Sequence, residues 1–106
     1  MNLVLNEYGR YNIIDDNGKL QGCTDPGNFI IVNNHRIYEM YHTAWGWVLR
    51  IGEETERLGF RWLYMSKVFK GKYTYMLDNL YAKNIKSKKL AEEHLKKMAI
   101  ADGYRV

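Results

Sequence analysis

The sequence predicts an α+β domain, a mostly antiparallel sheet of hairpins with one C-terminal helix packed on it. Three observations carry that reading. Turn signals at Asn17-Gly18, Asp25-Pro26-Gly27-Asn28 and Asn33-Asn34 cut the first part of the chain into short apolar runs of strand length. Trp45, Trp47, Leu49 and Ile51 alternate with Gly46, Val48 and Arg50, the period of two that marks a strand. From Ser87 onward the period changes: Leu90, Ala91, His94, Leu95, Met98 and Ala101 fall on one face of a helix.

The elements follow in order. Asn17-Gly18 lies between Ile13-Ile14 and Leu20 and reads as a hairpin turn, because both residues tolerate positive φ. Pro26-Gly27 suits the centre of a type II turn, which ends one strand and starts another from Phe29 to Val32. Asn33-Asn34 leads into a strand from Arg36 to Tyr41. The strand of Trp45 to Ile51 is expected to pair with Phe60 to Phe69 across a polar connection from Gly52 to Gly59. Phe60, Trp62, Tyr64 and Val68 share one face of that partner. Leu63, Met65 and Phe69 share the other, with Arg61 and Lys67 at the ends, so it should be central or covered on both sides. Lys70-Gly71 turns into Tyr73 to Leu77. Ser87 is the expected N-cap, Gly103 the residue that closes the helix, and Tyr104-Arg105-Val106 a short final strand. Lys89, Glu92, Glu93, Lys96 and Lys97 form the solvent face of the helix.

A chain of 106 residues is one domain and buries roughly 65% of its unfolded surface, enough for a core without staples. Its 14% aromatic content speaks against disorder. The single cysteine, Cys23, forms no intramolecular disulfide and fits a reducing compartment; it removes zinc-finger and disulfide-scaffold readings and is expected to be a structural thiol. Residues 1–7 carry no basic start and no apolar stretch of signal-peptide length. The longest clean apolar run, Phe29 to Val32, is far too short to span a membrane. The expectation is a soluble cytoplasmic protein with no membrane partner, in the host cytoplasm if phage-encoded. The net charge of +4 is unevenly spread: residues 1–60 have five basic and eight acidic side chains, residues 61–106 eleven and four. A basic half meets something acidic, or simply keeps the surface solvated.

Chemistry is sparse. His35 and His42 are seven apart in strand territory, and His94 lies at the edge of the apolar helix stripe; none has a cysteine at zinc spacing. Asp15-Asp16-Asn17-Gly18 lacks the donor pattern and distal glutamate of a calcium loop, and a turn explains it. Glu53, Glu54 and Glu56 read as a solvated loop, with nothing apolar beside them to raise a carboxyl pKa. No phosphate loop, nucleophile elbow or metal-protease helix occurs. A non-enzymatic protein without metal or cofactor is expected.

Binding signals are richer. Arg61, Lys67, Lys70, Lys72, Lys83, Lys86, Lys88 and Lys89 run through the last strands into the helix start. Cations at a helix N-terminus oppose the macrodipole, which gives them meaning if they prepare a phosphate site. Tyr73, Tyr75 and Trp62 lie close by in sequence, where rings could stack on bases or serve the core.

Two resemblances rest on these residues. Ser87-Lys88-Lys89-Leu90-Ala91 resembles the Ser-Lys-Lys-x-Ala start of the last helix in double-stranded-RNA-binding domains, over five residues; the resemblance implies that Lys88 and Lys89 reach RNA phosphates. The Tyr-, Lys- and Asn-rich style of the whole chain, with the stretch Ala82 to Glu93, is similar to small phage and mobile-element proteins. That similarity implies a stoichiometric inhibitor of host machinery, of anti-CRISPR, anti-restriction or other anti-defence type. The leading expectation is therefore an accessory protein that binds a host protein and inhibits or redirects it. The alternative is a nucleic-acid-binding module, and a third reading is a homodimer paired through a strand edge at Leu3 to Leu5 or Tyr73 to Leu77.

Overall fold

Two antiparallel sheets and one helix form the fold in the computed structural model, which describes residues 1–25, 27–69, 72–78 and 82–104, with side chains of 67–69 excepted. Strands β1 (Asn2–Leu5), β2 (Tyr11–Ile14) and β3 (Leu20–Thr24) make a small three-stranded sheet. Strands β4 (Ile30–Asn33), β5 (Arg36–Thr43), β6 (Gly46–Thr55), β7 (Gly59–Phe69) and β8 (Lys72–Met76) form a larger meander, and the two-residue β9 (Asn84–Ile85) joins it beside β6. The helix α1 (Lys88–Ala101) packs on one face. The α+β layout of antiparallel hairpins and one C-terminal helix is as the sequence predicts.

Cross-strand register explains the layers, because directly opposed residues share a face. Tyr38 opposes Ile51, which opposes Leu63, and Met40 opposes Leu49. This face meets the helix, and Tyr38, Met40, Leu49, Ile51, Met65 and Ile85 are buried against Ala91, Leu95, Met98 and Ala99. Each large side chain so buried contributes about 1.5–3 kcal/mol. The other face carries Ile37, Gly52, Trp62 and Phe60, and the small sheet lies over it. There the Trp62 indole N–H donates to the Gln21 carbonyl at 3.1 Å, and the Asp16 amide donates to the Glu54 carboxylate at 2.9 Å. The molecule is thus three layers deep, and β7 is a central strand, between β6 and β8.

The helix ends are built as the sequence suggests. Ser87 Oγ accepts from the Leu90 amide at 3.3 Å. Gly103, at φ +93°, lets its own amide reach Ile100 and the Tyr104 amide reach Ala99, so two orphan carbonyls are satisfied. The buried stripe is narrower than expected, however: Ala91, Leu95, Met98 and Ala99 are buried, His94 is half-buried, and Leu90 and Ala101 are exposed.

Other expectations need correction. The connection after Gly52 is not a solvated loop, because β6 continues to Thr55 and buries both Glu53 and Glu54. Partners supplied by distant strands make this burial tolerable, and no local pattern reveals them. At the β2–β3 hairpin only Gly18 has positive φ, while Asp15 accepts from the Asn17 and Lys19 amides and Gln21. It is a wider turn organised by an aspartate. Cys23 is exposed, so it is no packing thiol. Trp45 lies in the β5–β6 turn and not within a strand. A bulge between Met65 and Lys67 breaks the expected alternation along β7. The Asp25–Asn28 turn closes by an amide-to-carbonyl bond of 3.0 Å, but its type depends on Pro26 and, like the Lys70-Gly71 turn and the Arg105-Val106 strand, lies outside the described residues.

A charged network ties the helix C-terminus to the sheet. Glu53 accepts from Arg36 Nη2 at 2.6 Å and from Arg61 Nη2 at 3.0 Å. Arg36 Nη1 and the Tyr38 hydroxyl both donate to Asp102 Oδ2 at 2.7 Å. Burial pushes the Glu53 carboxyl up, but the hydrogen bonds from Arg61 and Arg36 outweigh it and hold the group below the ordinary glutamate value. Burial, followed by the bond to Asp102, pushes the Tyr38 phenol up to about 12.

This packing is testable by mutation and by pH. A Cβ at Gly52 would meet Phe60 Cζ at 2.6 Å and Ile37 Cγ2 at 2.7 Å. Gly52→Ala is expected to cost about 1–3 kcal/mol in chemical denaturation, with partial rescue by Phe60→Leu. For pH, Glu53 binds fewer protons folded than unfolded, so its contribution is complete above about pH 5 and is lost as pH falls through its folded value. Tyr38 acts in the opposite sense: its contribution is complete below its ordinary 10.0 and is lost as pH rises through about 12. Stability measured against pH should lose its acid limb in part in Glu53→Gln and its alkaline limb in part in Tyr38→Phe.

Candidate functional site

The β5–β6 hairpin, β9 and the first turn of the helix converge at one end of the molecule. Thr43 Oγ1 donates to the Gly46 carbonyl at 2.8 Å and accepts the Trp45 amide at 3.2 Å, which fixes the hairpin tip. Gly46 has φ +134°, and a Cβ there would sit 2.7 Å from the Ile85 carbonyl oxygen. Only glycine therefore allows β9 to close against β6, where Trp47 opposes Ile85 and Val48 opposes Asn84. The result of this locked backbone is a large indole held out in solvent: Trp45 is 71% exposed.

One lysine is bonded to Trp45 and a second lies by Trp47. Lys86 Nζ donates to the Trp45 carbonyl at 2.8 Å, and Lys88 Nζ reaches the Gly27 carbonyl at 3.2 Å while lying 5.7 Å from the Trp47 ring. His42 stacks obliquely on Trp47, ring centres 4.8 Å apart. Lys83 and Lys89 are also on the segment that runs through β9 into the helix. Of this group the structure ties Lys86 to Trp45 itself and Lys88 to the neighbouring Trp47, while Lys83 lies near His94.

The remaining residues singled out by sequence go elsewhere. Arg61 belongs to the Glu53 network at the far end of a 14-residue helix, about 21 Å along its axis. Lys72 is exposed at the start of β8, the side chain of Lys67 is not described, and Lys70 lies outside the described residues. Tyr73 and Tyr75 are half-buried against the helix-side core, with the Tyr73 hydroxyl 3.4 Å from His94 Nδ1. Burial raises the pKa of both phenols, and burial with nearby Lys97 and Lys83 lowers that of His94. Trp62 lies on the opposite face of the sheet. The rings expected to interleave with lysines are therefore separated by the sheet itself.

Two features escape a reading by sequence. Trp45 fits an alternating strand pattern, although Ala44-Trp45-Gly46 carries the glycine a tight turn needs. Glu39 and Arg50 stand alone as charges inside apolar strands, the usual mark of a paired interior position. Among the described residues no group of three His, Cys, Asp or Glu is placed to hold a metal, and no helix is long and apolar enough to cross a membrane. Compared with protein-family models, curated proteins and solved structures, the chain matches none.

Gly46→Ala should loosen β9 from β6. Native-state hydrogen exchange is expected to show about tenfold or greater loss of protection at the Ile85 and Trp47 amides, while the β2–β3 amides keep theirs.

Proposed function

We propose that this chain is a non-enzymatic accessory protein of phage or mobile-element type that docks on an acidic surface of a host protein and inhibits or redirects it. The observation that carries this reading is Trp45, exposed on a hairpin tip whose carbonyl Lys86 holds, next to the lysine-bearing segment that leads from β9 into the helix. Tryptophan is enriched among residues that dominate interface energy, and like charge on an adjoining segment steers a complementary partner into contact. The Tyr-, Lys- and Asn-rich character of the chain supports the phage-type part of the proposal.

The nucleic-acid reading draws on the same lysines. Single-stranded recognition uses several rings on one face, whereas Tyr73 and Tyr75 pack into the core and Trp62 lies under the small sheet. One exposed anchor beside a charged segment fits a protein hot spot better than a stacking platform.

The test is a tagged pull-down from host lysate, with and without nuclease, run in parallel on Trp45→Ala. A stoichiometric protein that survives nuclease and is lost from the variant supports the proposal. Its purified complex should weaken by about 2 kcal/mol or more, some 30-fold, in Trp45→Ala. Charge reversal at Lys83 and Lys89 should lower the association rate more than it raises the dissociation rate. A partner that binds Trp45→Ala equally well, or nucleic acid alone in the eluate, overturns it.

A further inference from the structure

The small sheet ends in an open edge, since among the described residues β1 has β2 as its sole strand neighbour. The Asn6 amide donates to the Arg10 carbonyl at 2.8 Å, and this bond sets the phase of the β1–β2 ladder. With Val4 opposite Asn12 and Leu5 opposite Tyr11, it is Asn2 and Val4 that turn their backbone groups toward β2. Leu3 and Leu5 therefore each point an N–H and a C=O away from the sheet, and these groups form a row of donors and acceptors along the edge.

Nothing in β1 blunts that edge. Asn2-Leu3-Val4-Leu5 has no charge and no proline, and its register with β2 is regular from end to end. Other edges are guarded: β3 gives its Gln21 carbonyl to the Trp62 indole, and β8 begins with exposed Lys72. The strand also carries exposed apolar side chains on both faces. Val4 is 50% exposed on the outer face, and Leu5 is 60% exposed although it shares the inner face with Leu3 and buried Ile13.

We propose that β1 pairs with β1 of a second copy of this chain, antiparallel about a two-fold axis at Val4. Leu3 then opposes Leu5 of the second copy, Leu5 opposes its Leu3, and each pair exchanges both of its N–H···O bonds. Val4 faces Val4 across the axis in a non-hydrogen-bonded pair, where side chains come closest, with Cα atoms about 4.5 Å apart. Asn2 faces Asn6, so no like charges meet. Registers shifted by two residues that keep the bonding phase set Val4 against Asn2 or Asn6 instead, which leaves its methyls on an amide. One strand serves both copies because a two-fold contact uses the same patch twice. So short an interface belongs with transient ones, with a dissociation constant of about 10 μM to 1 mM. The contact lies on the small sheet and Trp45 on the β5–β6 tip, so self-pairing and docking of a host protein stand or fall separately.

The experiment is sedimentation of the whole chain at concentrations from about 1 μM to 1 mM, which should show reversible exchange between monomer and dimer. Val4→Lys and Val4→Glu each set like charges against themselves on the axis and should weaken association about tenfold or more. An equimolar mixture of the two should regain it as a heterodimer, a rescue that requires Val4 to face Val4 and that no folding defect would mimic. A second readout needs no variant. Hydrogen exchange at the Leu3 and Leu5 amides should slow about tenfold between dilute and concentrated protein, while the β8 amides keep their rates. A monomer throughout the range, a dimer that Val4→Lys leaves intact, or slowing at β8 in place of β1 overturns the proposal. Should the Val4 variants fail to fold, the amide comparison decides the matter on its own.

Discussion

The rest of the architecture depends on how β6 divides its second edge. One edge pairs with β5 from Gly46 to Glu53. The other pairs with β7 only from Arg50 to Thr55, because β7 bulges between Met65 and Lys67 and runs on with β8. The vacated stretch at Trp47 and Val48 is taken by β9. Since β9 leads directly into Ser87 and the helix, this shared edge decides which face the helix covers and where it starts. It also leaves the opposite face for the small sheet.

Charge fixes the alignment of that central pair. Arg36 opposes Glu53 and Glu39 opposes Arg50 across the β5–β6 ladder. A slip of one residue would turn one strand's charges to the opposite face and separate both pairs. Buried pairs of this type add little net stability over apolar substitutes, but they make the wrong register expensive. Their value here is specificity of pairing, and the helix C-terminus shares in it through Asp102.

Much of this is legible in the chain itself. The hairpin punctuation, the alternation at Trp47 to Ile51, the Ser87 cap and the Gly103 terminator are local rules, and local rules survive folding. What stays hidden is non-local. Glu53 and Glu54 read as loop residues because Arg36, Arg61 and the Asp16 amide, which make their burial tolerable, are far away in sequence. Tyr73, Tyr75 and Trp62 read as neighbours of the lysines because proximity along a strand says nothing of which layer lies over each face. Lys83 to Lys89 are visible as a group, since one continuous segment carries them. Trp45, whose carbonyl Lys86 reaches, comes from another hairpin and is invisible to a reading of segments.

The placement of β9 has a consequence for the order in which the molecule matures. The β4–β8 meander is made of neighbouring hairpins and closes through short loops, whereas the β6–β9 contact joins Trp47 to Ile85 and must wait for a much longer one. The lysine-bearing segment and the Trp45 hairpin therefore come together only in the last stage of folding. A nascent or locally opened chain shows the two halves of the surface apart, and the recognition face exists only in a finished molecule.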